Sequence, residues 1–268
     1  MAKESGNVDG SRLRRAVAGL AALVSLCGAG LASAPSASAI YGGQEVGPVD
    51  HRFTYTVFVH ADNYRCGGTL VGPRTVLTAA HCLYGRAAAE LFFGSRDVST
   101  LPQPQVVKVT PSNWRVHASY DNVQLTDDIA LITLPSPVTF SESVGPVAVS
   151  WDDTTYDNTP AVVSGWGLLN DSDSTSILHY VNLTIAPTAT CRNYFGNGIT
   201  PAMLCADATN GGTCQGDSGG PLVDTRTGKL IGIVSFGGEG CANRTPRVAT
   251  RVPSFGAWIR TYSVDRLT

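Results

Sequence analysis

The chain has 268 residues, of which 43% are hydrophobic and 15% charged, and its formal net charge is −2. This length allows a large buried core in one or two domains, and the near-neutral charge argues against binding nucleic acid or an anionic membrane through bulk electrostatics. The 29 glycines and 15 prolines are typical of an all-β protein with many turns.

The first 39 residues have the pattern of an export signal. Arginines at positions 12, 14 and 15 are followed by Ala16–Ala32, a stretch without a charge that ends in small residues. This order predicts a cleaved signal peptide at 1–39 and therefore a secreted, extracellular protein. Cleavage after Ala34 would leave a short propeptide, 35–39, whereas cleavage after Ala39 would expose Ile40 directly, and the sequence is compatible with both. The alternative, a membrane anchor, is disfavoured because the stretch is short and rich in alanine and glycine.

Residues 40–268 consist of short apolar runs separated by turns. Four clear runs are Thr54–Val59, Val106–Val109, Ile129–Ile132 and Leu230–Val234. Their length and spacing predict the strands of a β-sandwich or β-barrel. Near the C-terminus a helix is predicted, because apolar residues recur there at helical spacing: Val252, Phe255, Trp258, Ile259 and Tyr262. We expect that helix to pack on the core and to carry no catalytic role.

Three short segments hold the residue types of a nucleophilic hydrolase. In chain order they are Thr78-Ala79-Ala80-His81-Cys82, Asp127-Asp128-Ile129-Ala130-Leu131 and Gly216-Asp217-Ser218-Gly219-Gly220-Pro221-Leu222. A serine hydroxyl is a poor nucleophile unless a base takes its proton, which a histidine can do near neutral pH. The third segment also matches the Gly-x-Ser-x-Gly pattern of α/β-hydrolases. That class requires a histidine after the serine, and none of the five histidines follows Ser218, so we reject it.

Together these segments resemble the trypsin-like (chymotrypsin-fold) serine proteases. The resemblance covers residues 40–268 and includes Val163–Gly167 and Trp258–Ile259. It implies an all-β fold of two six-stranded antiparallel β-barrels packed together with a C-terminal α-helix. The active site is then expected between the two barrels of one protease domain.

The resemblance also implies the reaction and the residues that carry it. It predicts a serine endopeptidase that works through an acyl-enzyme intermediate, with His81, Asp128 and Ser218 as the catalytic triad. Asp128 is preferred over Asp127 because it stands immediately before Ile129, as the family motif requires. Asp127 is expected to be an exposed neighbour.

Two further features of the family map onto this sequence. The oxyanion hole would be formed by the backbone N–H groups of Gly216 and Ser218. Ile40 resembles the N-terminus that these proteases expose on activation, whose ammonium group pairs with the aspartate before the serine, here Asp217. The uncut chain is therefore predicted to be a zymogen. Tyr41 replaces the usual Val or Ile, and we expect it not to block insertion.

Six cysteines remain after Cys27 is removed with the signal. An even number in an exported chain predicts three disulfides, although six cysteines alone permit 15 pairings. Zinc binding is disfavoured because no suitable C-x-x-C or paired histidine spacing is present. The family pattern implies the pairs Cys66–Cys82, Cys191–Cys205 and Cys214–Cys241.

The predicted substrate pocket follows from the same resemblance. Its floor would be Gly212, where trypsins carry an aspartate, so a tryptic preference is not expected. Arg247 replaces a small residue on the pocket wall, an arrangement similar to that of granzyme B, which cleaves after aspartate. The sequence leaves two preferences open: acidic side chains held by Arg247, or aliphatic and aromatic ones if Arg247 turns to solvent or is neutralised by Glu239. The remaining predicted substrate-binding residues are Thr213, Gln215, Ser235, Phe236 and Gly237.

No cofactor and no metal are predicted, since the loop after residues 94–97 lacks the paired glutamates that bind calcium in some relatives. The expected partners are protein or peptide substrates and protein protease inhibitors. We expect no nucleic acid, no stable membrane association, and a monomer. The alternative from another class is a catalytically silent binding protein on a protease scaffold. It is disfavoured because all three triad residues are present.

Overall fold

The computed structural model describes residues 40–100, 102–209 and 211–268. The predicted signal peptide and its cleavage sites lie outside the described residues. Fourteen β-strands make up most of the regular structure: β1 Gln44–Glu45, β2 Thr56–Ala61, β3 Tyr64–Gly72, β4 Thr75–Thr78, β5 Ala89–Phe93, β6 Gln105–Val109, β7 Trp114–Val116, β8 Ala130–Thr133, β9 Pro160–Gly165, β10 His179–Ala186, β11 Met203–Ala206, β12 Pro221–Asp224, β13 Lys229–Gly237 and β14 Arg247–Arg251.

The helices of the described residues are few and short. The α-helices are α1 Ala80–Leu83, α2 Thr188–Phe195 and α3 Gly256–Tyr262, and the 3₁₀ turns are Pro111–Asn113, Gly196–Gly198 and Val252–Phe255. No helix in this part of the chain is long and apolar enough to cross a membrane.

The strands form two antiparallel sheets that follow each other in the sequence. The N-terminal sheet has the order β6-β5-β2-β3-β4-β8-β7. The C-terminal sheet has the order β1-β10-β11-β14-β13-β12-β9, and β9 pairs with β10 as well, so six of its strands form a closed barrel. The predicted all-β class with two β-barrels and a C-terminal helix is confirmed. In detail, the N-terminal unit is a curled sheet of seven strands, with β6 and β7 at its edges.

Alternation along the strands explains why they form these sheets. In β10 every second side chain is buried while its neighbours face outward, the pattern of a strand that covers one side of a barrel. By contrast, β13 is buried at six consecutive positions, Leu230–Ser235. It lies in the middle of its sheet and continues to the wall of the candidate site. Each of the four strand runs predicted from the sequence overlaps an observed strand. Their ends agree to within two residues, except that β13 continues three residues beyond the predicted run.

The two barrels approach each other closely at a pair of glycines. The N–H of Gly67 in β3 donates to the carbonyl of Ser218 at 2.7 Å, and a Cβ at Gly67 would stand 2.7 Å from the Cα of Gly220. A side chain would therefore push the barrels apart. A buried hydrogen bond of 2.6 Å between the hydroxyls of Thr56 and Ser164 also joins them. These contacts fix the cleft in which the candidate site lies.

The C-terminal segment packs as predicted on three of its five apolar positions. Val252, Phe255 and Ile259 are buried in the main hydrophobic core. Trp258 is only partly buried, and Tyr262 lies at the surface beside the guanidinium of Arg115. Val252 and Phe255 belong to a 3₁₀ turn, so the α-helix itself begins later, at Gly256.

Candidate active site

His81 and Asp128 form a close pair at the mouth of the N-terminal barrel. His81 lies in α1, directly after β4, and Asp128 lies just before β8, the strand that pairs with β4. The imidazole Nδ1 of His81 is 2.7 Å from Oδ2 of Asp128, and the backbone N–H of His81 donates to Oδ1 at 2.9 Å. The carboxylate is buried, with 1% of the residue exposed. Because both its oxygens are held, it fixes the imidazole in one orientation with Nε2 free to meet a nucleophile.

Two residues of the C-terminal barrel hold Asp128 from the other side. The hydroxyl of Ser235 donates to Oδ2 at 2.5 Å, and the hydroxyl of Thr250 donates to the backbone carbonyl of Asp128 at 2.7 Å. Sequence reasoning placed Ser235 in the substrate-binding strand and missed its contact with Asp128, and it did not select Thr250 at all. These residues are 107 and 122 positions from Asp128, and no local pattern in the sequence indicates the contacts.

Ser218 lies where the two barrels meet. Its carbonyl accepts from Gly67 and contacts Sγ of Cys82, the residue after His81. Its Oγ donates to the carbonyl of Ser235 at 3.4 Å, near the upper limit for a hydrogen bond. Ser235 therefore contacts both Asp128 and Ser218, which brings the three sequence-predicted triad residues to one place.

The turn that carries Ser218 has two free backbone donors. Gly216 adopts a φ of +98°, which favours glycine, and a Cβ there would stand 3.1 Å from the Cα of Gly167. Within the described residues, neither the N–H of Gly216 nor that of Ser218 donates a hydrogen bond. The N–H of Asp217, between them, donates to the carbonyl of Cys214. The two free N–H groups are available to a ligand oxygen beside Ser218.

Asp217 is a fully buried carboxylate beneath this turn. Its oxygens accept from the N–H groups of Gly167 at 2.8 Å and Cys214 at 2.9 Å. Burial nevertheless raises the pKa of Asp217 to about 7, because the charged form is removed from water, while the two backbone hydrogen bonds and the charge of Arg65 oppose that rise. An additional cation at this place would stabilise the ionised carboxylate.

The segment that begins at Ile40 is docked beside the turn. Ile40 is completely buried in the apolar cluster of the C-terminal barrel, with a φ of 62°, which is unusual for a β-branched residue. The carbonyl of Tyr41 accepts from the N–H of Gly212, so this segment touches the predicted pocket floor.

A cavity of about 520 Å³ opens next to Ser218, and we call it the specificity pocket. Its walls are Val234–Gly240 on one side and Thr213–Gln215 on the other, with Arg247 at its base. The sequence-predicted pocket residues Thr213, Gln215, Ser235, Phe236, Gly237 and Arg247 all line it. Gly212, the predicted floor, does not line the pocket: it lies behind Arg247, since a Cβ at Gly212 would stand 3.4 Å from that side chain.

The guanidinium of Arg247 is bound by the protein itself. Its Nε donates to the carbonyl of Thr213 at 2.9 Å, and one terminal nitrogen donates to the carbonyls of Gly240 and Cys241. The other donates to the carbonyl and hydroxyl of Thr245 and to the side-chain oxygen of Asn243. All five N–H groups of an arginine are accounted for by these six acceptors. Arg247 is 4% exposed, so the alternative in which its side chain turns to solvent is not observed.

Two carboxylates stand near the rim of the specificity pocket. Glu239 is exposed, and no ion pair between it and Arg247 is present in the described residues, so the alternative that Glu239 neutralises Arg247 is not observed. Oδ1 of Asp171 instead accepts from the N–H of Cys241 at 2.6 Å. The charge of Asp171 favours the protonated guanidinium, but burial is the larger effect and lowers the pKa of Arg247.

The six cysteines form three disulfides around the site. They are Cys66–Cys82, Cys191–Cys205 and Cys214–Cys241, the pairs that the resemblance implies. Cys66, His81 and Cys82 bring three potential metal-binding atoms within 4.8 Å of one another. Because the two sulfurs are joined to each other, neither is a thiolate, and this cluster does not suit a metal ion.

Asp127, the expected exposed neighbour of Asp128, is half-buried with a φ of 50°. It makes no contact with His81 among the described residues. The choice of Asp128 as the partner of His81 therefore agrees with the geometry.

The chain as a whole is similar to many known proteins. A family model described as Trypsin matches residues 40–259. The chain is 36% identical over 226 residues to brachyurin of Leptuca pugilator, which covers 83% of this chain and 97% of the relative. It is 35% identical over 234 residues to chymotrypsin of Phaedon cochleariae, with 84% of this chain and 82% of that protein covered. Among solved structures, that of HL collagenase superposes with a TM-score of 0.76 at 28% identity, covering 85% of this chain and all of the other.

Proposed function

The chain belongs to the trypsin family and is a serine endopeptidase, and on that premise we propose that His81, Asp128 and Ser218 are its catalytic triad. The observation that carries the proposal is the chain of contacts through Ser235. Its hydroxyl binds the carboxylate that holds His81, and its carbonyl binds the hydroxyl of Ser218. These contacts support the assignment of a base, its orienting carboxylate and a nucleophile that act together.

In this mechanism Oγ of Ser218 attacks the carbonyl carbon of the scissile peptide bond. Nε2 of His81 takes the hydroxyl proton and then gives it to the leaving amine, so that an acyl-enzyme remains. Water enters, loses a proton to the same nitrogen and attacks the acyl carbon; the acid leaves as His81 returns that proton to Oγ of Ser218. The buried Asp128 stabilises the imidazolium that forms twice in this cycle.

The N–H groups of Gly216 and Ser218 form the oxyanion hole in our proposal. Neither is used by another described residue, so both can donate to the negative oxygen that develops during attack. Losing one such donor typically costs about 3–4 kcal/mol of transition-state stabilisation.

For the residue before the scissile bond, we propose an aliphatic or aromatic preference. Such a side chain would enter the specificity pocket, while the substrate backbone pairs with Ser235–Gly237 as an added strand. Arg247, not an acid, stands at the base of the pocket with Gly212 behind it, and its charge repels lysine and arginine there. A carboxylate at the same place would find every N–H group of Arg247 already donated, and binding it would break one of those hydrogen bonds.

Acidic preference is the second candidate. One observation favours it: Arg247 is a buried cation whose nearest counter-charge, Asp171, stands at the rim rather than in direct contact. Replacing Arg247 by glycine separates the two preferences. Loss of cleavage after Asp and Glu would favour the acidic candidate, and an unchanged cleavage profile would favour the apolar one.

We further propose that the domain comprises residues 40–268 and acts after export, once cleavage has freed the amine of Ile40. Support comes from the buried position of Ile40 and from Asp217, a buried carboxylate that lacks a direct ion pair among the described residues. Pairing with a new ammonium group would remove the energetic penalty of ionising Asp217 and fix the turn that carries Ser218. N-terminal sequencing of the exported protein tests this step, and a start at Pro35 would contradict direct activation by signal removal.

Peptide-library cleavage by the chain beginning at Ile40, with Ser218→Ala as the control, tests the whole proposal. We expect cleavage after Leu, Phe or Tyr that disappears in the control. Absence of cleavage with a proven free amine would instead favour a silent binding protein on this scaffold.

A further inference from the structure

A second cavity, of about 320 Å³, meets the specificity pocket at Ser218 and Gln215. We call it the leaving-side cavity. Its remaining walls come from Asn63–Arg65 at the start of β3 and from Trp166, Leu168 and Gly216. It shares no other wall with the specificity pocket.

The position of this cavity identifies the part of a peptide that it can hold. A substrate with its side chain in the specificity pocket runs along Ser235–Gly237 before the scissile bond, and those residues do not line the leaving-side cavity. Beyond the bond, the chain passes Ser218 in the other direction. At about 3.3 Å per extended residue, the first two residues after the bond lie along the wall formed by Tyr64 and Arg65.

Arg65 is the only charged residue among those that line the leaving-side cavity. One terminal nitrogen of its guanidinium donates to the carbonyls of Thr175 at 2.7 Å and Trp166 at 3.2 Å, and the guanidinium lies 5.4 Å from the ring centre of Phe58. The group is therefore half-buried and held in place. Its Nε and its other terminal nitrogen donate to no described residue.

Among the described residues, no surface carboxylate pairs with this cation. The one acid there that acts on its charge is Asp217, whose two oxygens are occupied by the backbone donors of Gly167 and Cys214. The oxygens of Asp62, nearby in sequence, face the N–H groups of Ala87 and Ala88. A positioned guanidinium with unused donors, on a residue that lines a cavity without acids and bonded to Trp166 of the same cavity wall, suits a carboxylate.

We propose that the leaving-side cavity binds an acidic side chain, Asp or Glu, within two residues after the scissile bond, with Arg65 as the recognising cation. The inference rests on the proposed peptidase activity and adds a second specificity element to it. It concerns the departing fragment, so it is independent of the preference set in the specificity pocket.

Matched peptides that differ only at these two positions test the proposal. For each enzyme we compare kcat/KM for Asp against Asn at each position, so that any general loss of activity cancels. We expect the unaltered enzyme to prefer Asp about five- to tenfold at low salt, and less at 0.5 M NaCl. Arg65→Gln keeps a donor for the carbonyls of Trp166 and Thr175 and should lower the preference to less than twofold, whereas Arg65→Lys should retain part of it.

Arg86→Gln is the matched control, because the Arg86 guanidinium lies over the ring of Tyr64 at 4.7 Å but does not line the cavity. We expect its Asp preference to equal that of the unaltered enzyme. Equal rates for Asp and Asn in the unaltered enzyme, or the same loss in Arg86→Gln as in Arg65→Gln, would overturn the assignment. Failure to cleave any peptide would instead overturn the peptidase proposal itself. This outcome differs from a loss of the Asp preference, so failure of the Arg65 assignment and failure of the peptidase proposal can be told apart.

Discussion

Replacing Arg247 by methionine should destabilise the fold, because the arginine holds the base of the specificity pocket together. Methionine keeps much of the side-chain volume but removes all the donors. The carbonyls of Thr213 and Cys241, which accept at 2.9 and 2.8 Å, would be left without that partner. Both lie in the wall of the specificity pocket.

The magnitude follows from the number of hydrogen bonds. Each bond to a charged group contributes about 1.5–3 kcal/mol, but burying the guanidinium offsets part of the sum. Arg247 is 4% exposed, so solvent screens these bonds little. We expect a loss of about 3 kcal/mol in the free energy of unfolding.

Equilibrium urea unfolding, in a chain that also carries Ser218→Ala to prevent self-cleavage, measures this loss. Arg260→Met is the matched control, since Arg260 is exposed and its guanidinium rests on the ring of Trp151. The control should lose about 1 kcal/mol or less. An equally small loss for Arg247→Met would refute the reasoning. It would mean that the guanidinium is free to meet a substrate carboxylate, and the acidic candidate would then be preferred.

Three further predictions concern residues of the candidate active site that support the proposed triad and oxyanion hole. Ser235→Ala removes the donor to Asp128 and should lower kcat about three- to tenfold with little change in KM, and an unchanged kcat would show that this hydrogen bond does not support the carboxylate. Gly216→Ala places a Cβ 3.1 Å from Gly167 at a φ of +98° and should lower kcat at least about a hundredfold in steady-state assays, while near-normal turnover would argue against an oxyanion donor there. In the uncut chain the pKa of Asp217 is raised from 3.8 to about 7, so its stabilising contribution is fully present below pH 3.8 and is lost as the pH rises through about 7. Relative to Asp217→Asn, the free energy of unfolding should therefore fall by about 2–4 kcal/mol between pH 4 and pH 8, and a flat difference would contradict the burial argument.

The sequence predicts the local elements of this site well because short motifs carry them. The residues around His81, Asp128 and Ser218 are contiguous segments, and the segment around Asp128 also runs into a predicted strand, Ile129–Ile132. The cysteine pairs and the all-β class follow from the same family pattern. These features depend on residues that are close in the chain or on motifs that many chains share.

Features that depend on distant contacts could not be predicted. The contact of Ser235 with Asp128 requires the register of β13 against a segment from the other barrel. The environment of Arg247 depends on acceptors from two loops, at Thr213 and at 240–245, whose conformations no local pattern specifies. The environment of Arg65 could not be predicted either, because in the sequence Arg65 looks like an ordinary strand residue.

The most direct test of the catalytic assignment is covalent labelling with a fluorophosphonate, which reacts with an activated serine. The chain beginning at Ile40 is labelled, digested and analysed by mass spectrometry. We predict one label, on Ser218, that is lost in His81→Ala and in the urea-unfolded protein. Labelling of several serines at similar rates, or no label on a folded chain with a proven free amine at Ile40, would contradict the assignment of Ser218 as the activated nucleophile.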